Sequence, residues 1–139
     1  MGIRIRNINR DYHKLSWFGP EFDYRIIYWP VTGSNLAMIS YVKADVGTVG
    51  QEHFHAGSEE FVFVLEGEGY VEEKEAGRKH TFGEGDVILI EPRTVHRVIF
   101  TKPQVVVAVQ APPDYGFLRR DDLLSKMLDE YLAKRLSYL

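Results

Sequence analysis

Residues 47–67 read Gly47-Thr48-Val49-Gly50-Gln51-Glu52-His53-Phe54-His55-Ala56-Gly57-Ser58-Glu59-Glu60-Phe61-Val62-Phe63-Val64-Leu65-Glu66-Gly67. The second half alternates with the period of a β-strand: Glu60, Val62 and Val64 fall on one face, Phe61, Phe63 and Leu65 on the other. A strand apolar on both faces must be covered on both. The cover for the Phe61 face would come from the second sheet's flank, the N-terminal segment, the terminal helix or another subunit. In the first half, Gln51, His53 and His55 are spaced by two, which predicts a strand that points them to one face. The Ala56-Gly57-Ser58 turn then brings Glu60 back beside them. Glu60 heads an otherwise apolar inward row, and a buried carboxylate without a partner is costly.

Working outward, the same short-strand pattern continues in both directions. Upstream, Tyr24–Tyr28 alternates up to Pro30, and Leu36–Lys43 follows the turn at Gly33-Ser34-Asn35. Downstream, Tyr70–Lys74 and Lys79–Phe82 form a hairpin around Ala76-Gly77. Val87–Ile90, His96–Phe100 and Val105–Val109 complete the set. Many short strands punctuated by glycine predict an all-β fold, an antiparallel sandwich barrel. After Pro112-Pro113 the period changes. Asp121 is a natural N-cap, and Leu124, Leu128, Tyr131 and Leu132 recur at helical spacing, with Asp122/Lys126 and Glu130/Lys134 as i, i+4 pairs. We therefore expect an N-terminal segment over 1–21, a barrel over 22–112, and a linker with an amphipathic C-terminal helix over 113–139, all in one domain.

Composition narrows the function classes. The 139 residues carry 17 Lys and Arg against 20 Asp and Glu, a net charge of −3, which argues against a nucleic-acid partner. There is no cysteine, which excludes disulfides, thiolate metal sites and cysteine nucleophiles. No apolar run reaches the roughly 18 residues of a membrane helix, so no membrane partner is expected. The start of the chain alternates Ile and Arg and lacks a signal-peptide core, making the cytoplasm the expected compartment.

His96 follows a turn, Glu91-Pro92-Arg93-Thr94, and begins another strand. Three imidazoles and one carboxylate converging inside a barrel would hold one divalent cation, with His53, His55, Glu60 and His96 as ligands, and leave positions open for chemistry. The competing reading makes them the polar lining of an organic-ligand pocket. Mixed imidazole and carboxylate ligation suits iron, manganese, nickel, cobalt, copper or zinc. Gln51, sharing the His53 face, and Arg93, near the barrel mouth, are candidate substrate contacts. Both have simpler readings, as a core amide and a solvated loop arginine. His13 and His80 read as solvated, without partners at ligand spacing.

The spacing of Gly47, His53, His55, Glu60 and Gly67 resembles the first cupin motif, and Gly85-Asp86 with His96 resembles the second. Three positions depart from the second motif: Glu91 stands where proline is usual, Arg93 where glycine is usual, and Phe100 where asparagine is usual. None removes a metal ligand. The resemblance implies a small one-domain cupin, a β-sandwich barrel with a central metal, commonly paired as a homodimer. It also implies a metal-dependent enzyme acting on a small polar molecule, either a dioxygenase or an isomerase or lyase using the metal as a Lewis acid. In that reading Glu60 is a ligand, or a proton shuttle if it leaves the metal. The alternative is a non-catalytic module that senses or binds a small ligand.

Overall fold

The computed structural model describes residues 2–45 and 47–137. Among these residues, nine strands form two antiparallel sheets. They are β1 (His13–Lys14), β2 (Phe22–Tyr28), β3 (Met38–Ala44), β4 (Glu59–Glu66), β5 (Gly69–Glu73), β6 (Arg78–Phe82), β7 (Val87–Ile90), β8 (His96–Phe100) and β9 (Gln104–Ala111). One sheet has the order β1-β2-β3-β9-β4-β7 and the other β6-β5-β8. Helices α1 (Tyr115–Leu118) and α2 (Asp122–Leu136) follow. The all-β sandwich with a C-terminal helix is the architecture expected from the alternation.

The alternation is visible residue by residue. In β9, Gln104, Val106, Ala108 and Gln110 are buried while Val105, Val107, Val109 and Ala111 are half-buried on the other face. Glu60, Val62 and Val64 point inward as their spacing requires. In β2 a register shift between Ile26 and Tyr28 breaks the period, so Ile26 and Ile27 are both buried. Gly69 opens β5 under a severe spatial constraint, since a Cβ there would lie 1.9 Å from the Ile99 carbonyl oxygen.

Helix α2 begins at Asp121, whose carboxylate accepts from Leu124 N at 3.1 Å. Leu124 and Leu128 are fully buried in the common core beside Trp29 and Leu118, worth about 1.5–3 kcal/mol per side chain. Asp121 also accepts from Ser16 N and Oγ at 2.8 and 2.7 Å, tying the N-terminal segment to the helix.

Three expectations are corrected here. The segment carrying Gln51, His53 and His55 is not a regular strand: it meets β8 only through isolated bridges at Val49↔Ile99 and His53↔His96. Gly47, at φ 77°, and Gly50, pressed against the Phe18 ring, interrupt the ladder. His13 is not simply solvated, since its Nδ1 accepts from Trp29 Nε1 at 3.1 Å and the rings meet edge-on. The Asp122/Lys126 and Glu130/Lys134 pairs do not form ion pairs; on this surface Arg119 pairs with Asp129 at 2.7 Å.

Candidate metal centre

Backbone pairing sets the site. Gly50 N donates to Val98 O, and His53 and His96 exchange both backbone hydrogen bonds at 3.0 and 2.9 Å. The two imidazoles therefore sit side by side, ring centres 4.3 Å apart. The His55 carbonyl accepts from Arg93 N at 2.7 Å, fastening the His-x-His segment to the turn before β8. Arg93 makes that bond from a left-handed conformation, φ 65°, where the motif usually has glycine. Glu60 enters from β4, paired with Ile90 on one side and Gln110 on the other. Ser58 Oγ, just before β4, donates to the Pro112 carbonyl and holds the intervening turn.

Each imidazole is oriented through Nδ1. His53 Nδ1 meets Gln51 O at 2.7 Å, His96 Nδ1 meets Thr94 O at 2.8 Å, and His55 Nδ1 meets Asp114 Oδ2 at 2.8 Å. A carbonyl oxygen only accepts, so Nδ1 of His53 and His96 carries the proton and Nε2 keeps its lone pair for the interior. The four side chains are almost wholly buried, with His53 and Glu60 6% exposed, His55 2% and His96 1%. Their ligand atoms all lie within 4.8 Å of one another. Glu60 Oε2 is 2.9 Å from His55 Nε2, and Oε1 is 3.7 Å from His96 Nε2. Neither Nε2 has a partner on the line a hydrogen bond requires. Buried polar atoms rarely stay unsatisfied, and a divalent ion bound by Nε2 atoms and the carboxylate would satisfy them together. The donor set fits such an ion chemically and sterically.

Electrostatics point the same way. Burial, reinforced by the neighbouring His96 ring, pushes His53 down to about 4, so it is a neutral donor at physiological pH. Burial would also lower His55, but the Asp114 and Glu60 carboxylates on either side of its ring outweigh it and push it up to about 9. Burial would raise Glu60, yet His55 and His96 hold it below the ordinary carboxylate range. Without an ion, the positive charge between the two carboxylates is the His55 proton, which a metal cation would replace.

Aromatic rings wall the site from one side. Phe117 of α1 lies 5.6 Å from His53 and 5.2 Å from His55, and Phe18 lies 5.5 Å from His53. Between these rings and Glu60 is a cavity of about 60 Å³, bounded also by Tyr24, Val98 and Phe100. A larger cleft of about 590 Å³ opens between edge strands β6 and β7 and reaches His96, past Glu73, His80, Glu91 and Thr94. Gln51 and Arg93 have exposed side chains that line neither space, while the Gln51 carbonyl meets His53 Nδ1 and the Arg93 N–H meets the His55 carbonyl. Asp114 was not singled out by sequence. It lies 59 residues from His55 and carries only the weak signal of an N-cap after a Pro-Pro pair.

Solved structures with the same fold include KdgF from Halomonas sp., 24% identical, with a TM-score of 0.65 over 81% of this chain and 96% of that one. Ectoine synthase from P. lautus is 16% identical, TM-score 0.66, covering 80% of this chain and 79% of the other. A predicted oxalate decarboxylase from Thermotoga maritima is 19% identical, TM-score 0.65, covering 80% of this chain and all (100%) of that one. No curated protein matches the sequence. The family profile described as "Cupin domain" matches residues 40–110, which is the span that builds β3 to β9 and carries all four clustered side chains. The chain belongs to the cupin domain family.

Proposed function

We propose that this cupin is a metal-dependent enzyme acting on a small polar molecule, with His53, His55, Glu60 and His96 as ligands of one divalent transition metal. The observation that carries the reading is the convergence of four buried ligand atoms within 4.8 Å of one another, on imidazoles whose Nδ1 atoms are already engaged elsewhere. When bound, the metal supplies Lewis-acid polarisation of a substrate oxygen. Glu60 acts as a charged ligand and not as a proton shuttle, because a carboxylate held below its usual range is a poor proton acceptor near neutrality. The substrate approaches through the β6/β7 cleft, whose polar walls carry the Glu73–His80 pair and Glu91. That lining favours isomerase or lyase chemistry over oxygenation. Enzymes of similar fold include a synthase and a predicted decarboxylase.

The working unit is a homodimer. Two cross-strand rows, Ile39-Val109-Phe61-Leu89 and Tyr41-Val107-Phe63-Val87, make an uncharged outer face on the larger sheet. Phe63, Leu65, Val87 and Leu89 remain 40–55% exposed, so none of the described residues covers them fully. A second copy supplies the cover. Sedimentation should give twice the 16.1 kDa chain mass, and Phe63→Glu should return it to one.

The activity test incubates protein loaded with manganese, iron, nickel or zinc with small hydroxy acids, sugar acids and amino acids, following products by NMR and oxygen by electrode. Turnover without oxygen uptake, abolished by Glu60→Gln, supports the reading. Oxygen consumed in step with product would make it an oxygenase. Ligands bound and recovered unchanged would make it a binding module.

A further inference from the structure

The matched family span ends at residue 110, yet the third imidazole is oriented from beyond it. Asp114 is the N-cap of α1, with Oδ1 accepting from Phe117 N at 3.2 Å and Oδ2 facing His55 Nδ1 at 2.8 Å. Its own N–H donates to the buried Gln110 Oε1 at 3.2 Å. The carboxylate is thus committed on both oxygens and fixed at its backbone. Around it the segment before β2 is joined to the helices after β9. Trp17 Nε1 donates to Phe117 O at 3.0 Å, Ser16 is held by Asp121, and the Trp17 and Phe117 rings pack 4.9 Å apart. The other two histidines lean on carbonyls in their own segments, Gln51 O and Thr94 O; only His55 depends on a distant side chain.

We infer that Asp114 is the positioning residue of the metal centre: it fixes His55 with the proton on Nδ1 and Nε2 turned to the ion, and it couples metal affinity to the docking of the segment before β2 against α1 and α2. The inference rests on the metal-dependent reading above. The reason is geometric. A carboxylate has only acceptors, so His55 must present a donor at Nδ1 and leave Nε2 for coordination. An asparagine has one acceptor and one donor group. If its oxygen keeps the cap on Phe117 N, its NH₂ faces His55 and selects the opposite tautomer, with the proton on Nε2. If its oxygen turns to His55, the cap is lost. Alanine imposes neither tautomer but removes the cap altogether.

The roles therefore order the variants in opposite ways, and that is the test. Zinc affinity would be measured by competition against a chromophoric chelator for the wild type, Asp114→Asn, Asp114→Ala and Trp17→Phe. Metal-free thermal melts and imidazole ¹⁵N NMR spectra would accompany it. Positioning predicts that Asp114→Asn and Asp114→Ala lose between about ten- and a hundredfold in affinity. It also predicts that Asn loses at least as much as Ala although it melts higher, and that its His55 shifts move towards the Nε2–H tautomer. Trp17→Phe, which removes one link between the N-terminal segment and α1 but no hydrogen bond to a site histidine, should give a smaller loss. Affinities within about twofold of the wild type, or losses that simply follow melting temperature with Ala the worse, would overturn the inference and leave the metal reading standing. A wild type that binds no zinc would overturn both.

Discussion

Truncating Phe117 to alanine tests whether the C-terminal segment is an integral wall of the site. The ring is 5% exposed and packs 4.9 Å from Trp17, 5.2 Å from His55 and 5.6 Å from His53. Removing a buried phenyl ring costs about 3–5 kcal/mol, depending on how far the surroundings collapse. Collapse is hindered here, because the ring borders a cavity of about 60 Å³ and its neighbours are held by the Trp17 to Phe117 carbonyl hydrogen bond and by backbone pairing. The loss should therefore lie in the upper part of the range, about 4 kcal/mol, or about 12 °C in Tm for a chain of this size. Phe117→Leu keeps most of the volume and should cost less than about 1.5 kcal/mol. Urea unfolding of metal-free protein measures both, with the m-value expected to stay constant. A loss below about 1 kcal/mol for alanine, indistinguishable from leucine, would refute the claim that this ring seals the barrel.

Other consequences follow from single residues. Arg93→Gly should stabilise the protein by about 0.5–1 kcal/mol, because φ 65° strains a residue with a Cβ and the exposed side chain lines neither cavity at the site; an unchanged or lower unfolding midpoint would contradict this. Gly69→Ala should prevent stable folding or cost more than about 3 kcal/mol, since its Cβ would overlap the Ile99 carbonyl, and circular dichroism with thermal melting reads the outcome. Burial would raise the Asp121 pKa, but hydrogen bonds from Ser16 and Leu124 hold it below the usual value. A depressed carboxylate pKa contributes stability that is present above the unfolded value, about 3.9, and is lost as pH falls through the folded value. Stability should accordingly fall below about pH 5, and the decline should be shallower in Asp121→Asn. Superimposable acid limbs would show that this carboxylate contributes nothing.

Much of the fold was legible because alternation and burial agree. The Glu60, Val62, Val64 row and the Leu124, Leu128 stripe were set by period alone, and glycines marked the turns between strands. Three imidazoles and a carboxylate were legible as a cluster because His53, His55 and Glu60 flank one tight turn and His96 heads a strand at the separation of the second motif. What escaped the sequence depends on backbone detail or on distant contacts. The irregular path of the His53–His55 segment arises from Gly47 and Gly50, whose φ and close packing no periodicity encodes. Gln51 was placed inward by counting in twos, but the extended chain is not a regular strand there, and its carbonyl contributes instead. His13 found a partner in Trp29, 16 residues away, through the β1/β2 pairing. Asp114 reaches His55 only because β9 and the turn after it return the chain to the barrel mouth.

The most direct test of the central claim is elemental analysis of the purified protein beside a His53→Ala, His96→Ala double variant, both produced in mixed trace metals. The four-residue centre predicts close to one transition-metal ion per wild-type chain and essentially none in the variant, with both proteins folded by circular dichroism. No metal in the wild type, even after reconstitution, or equal metal in both proteins, would contradict it.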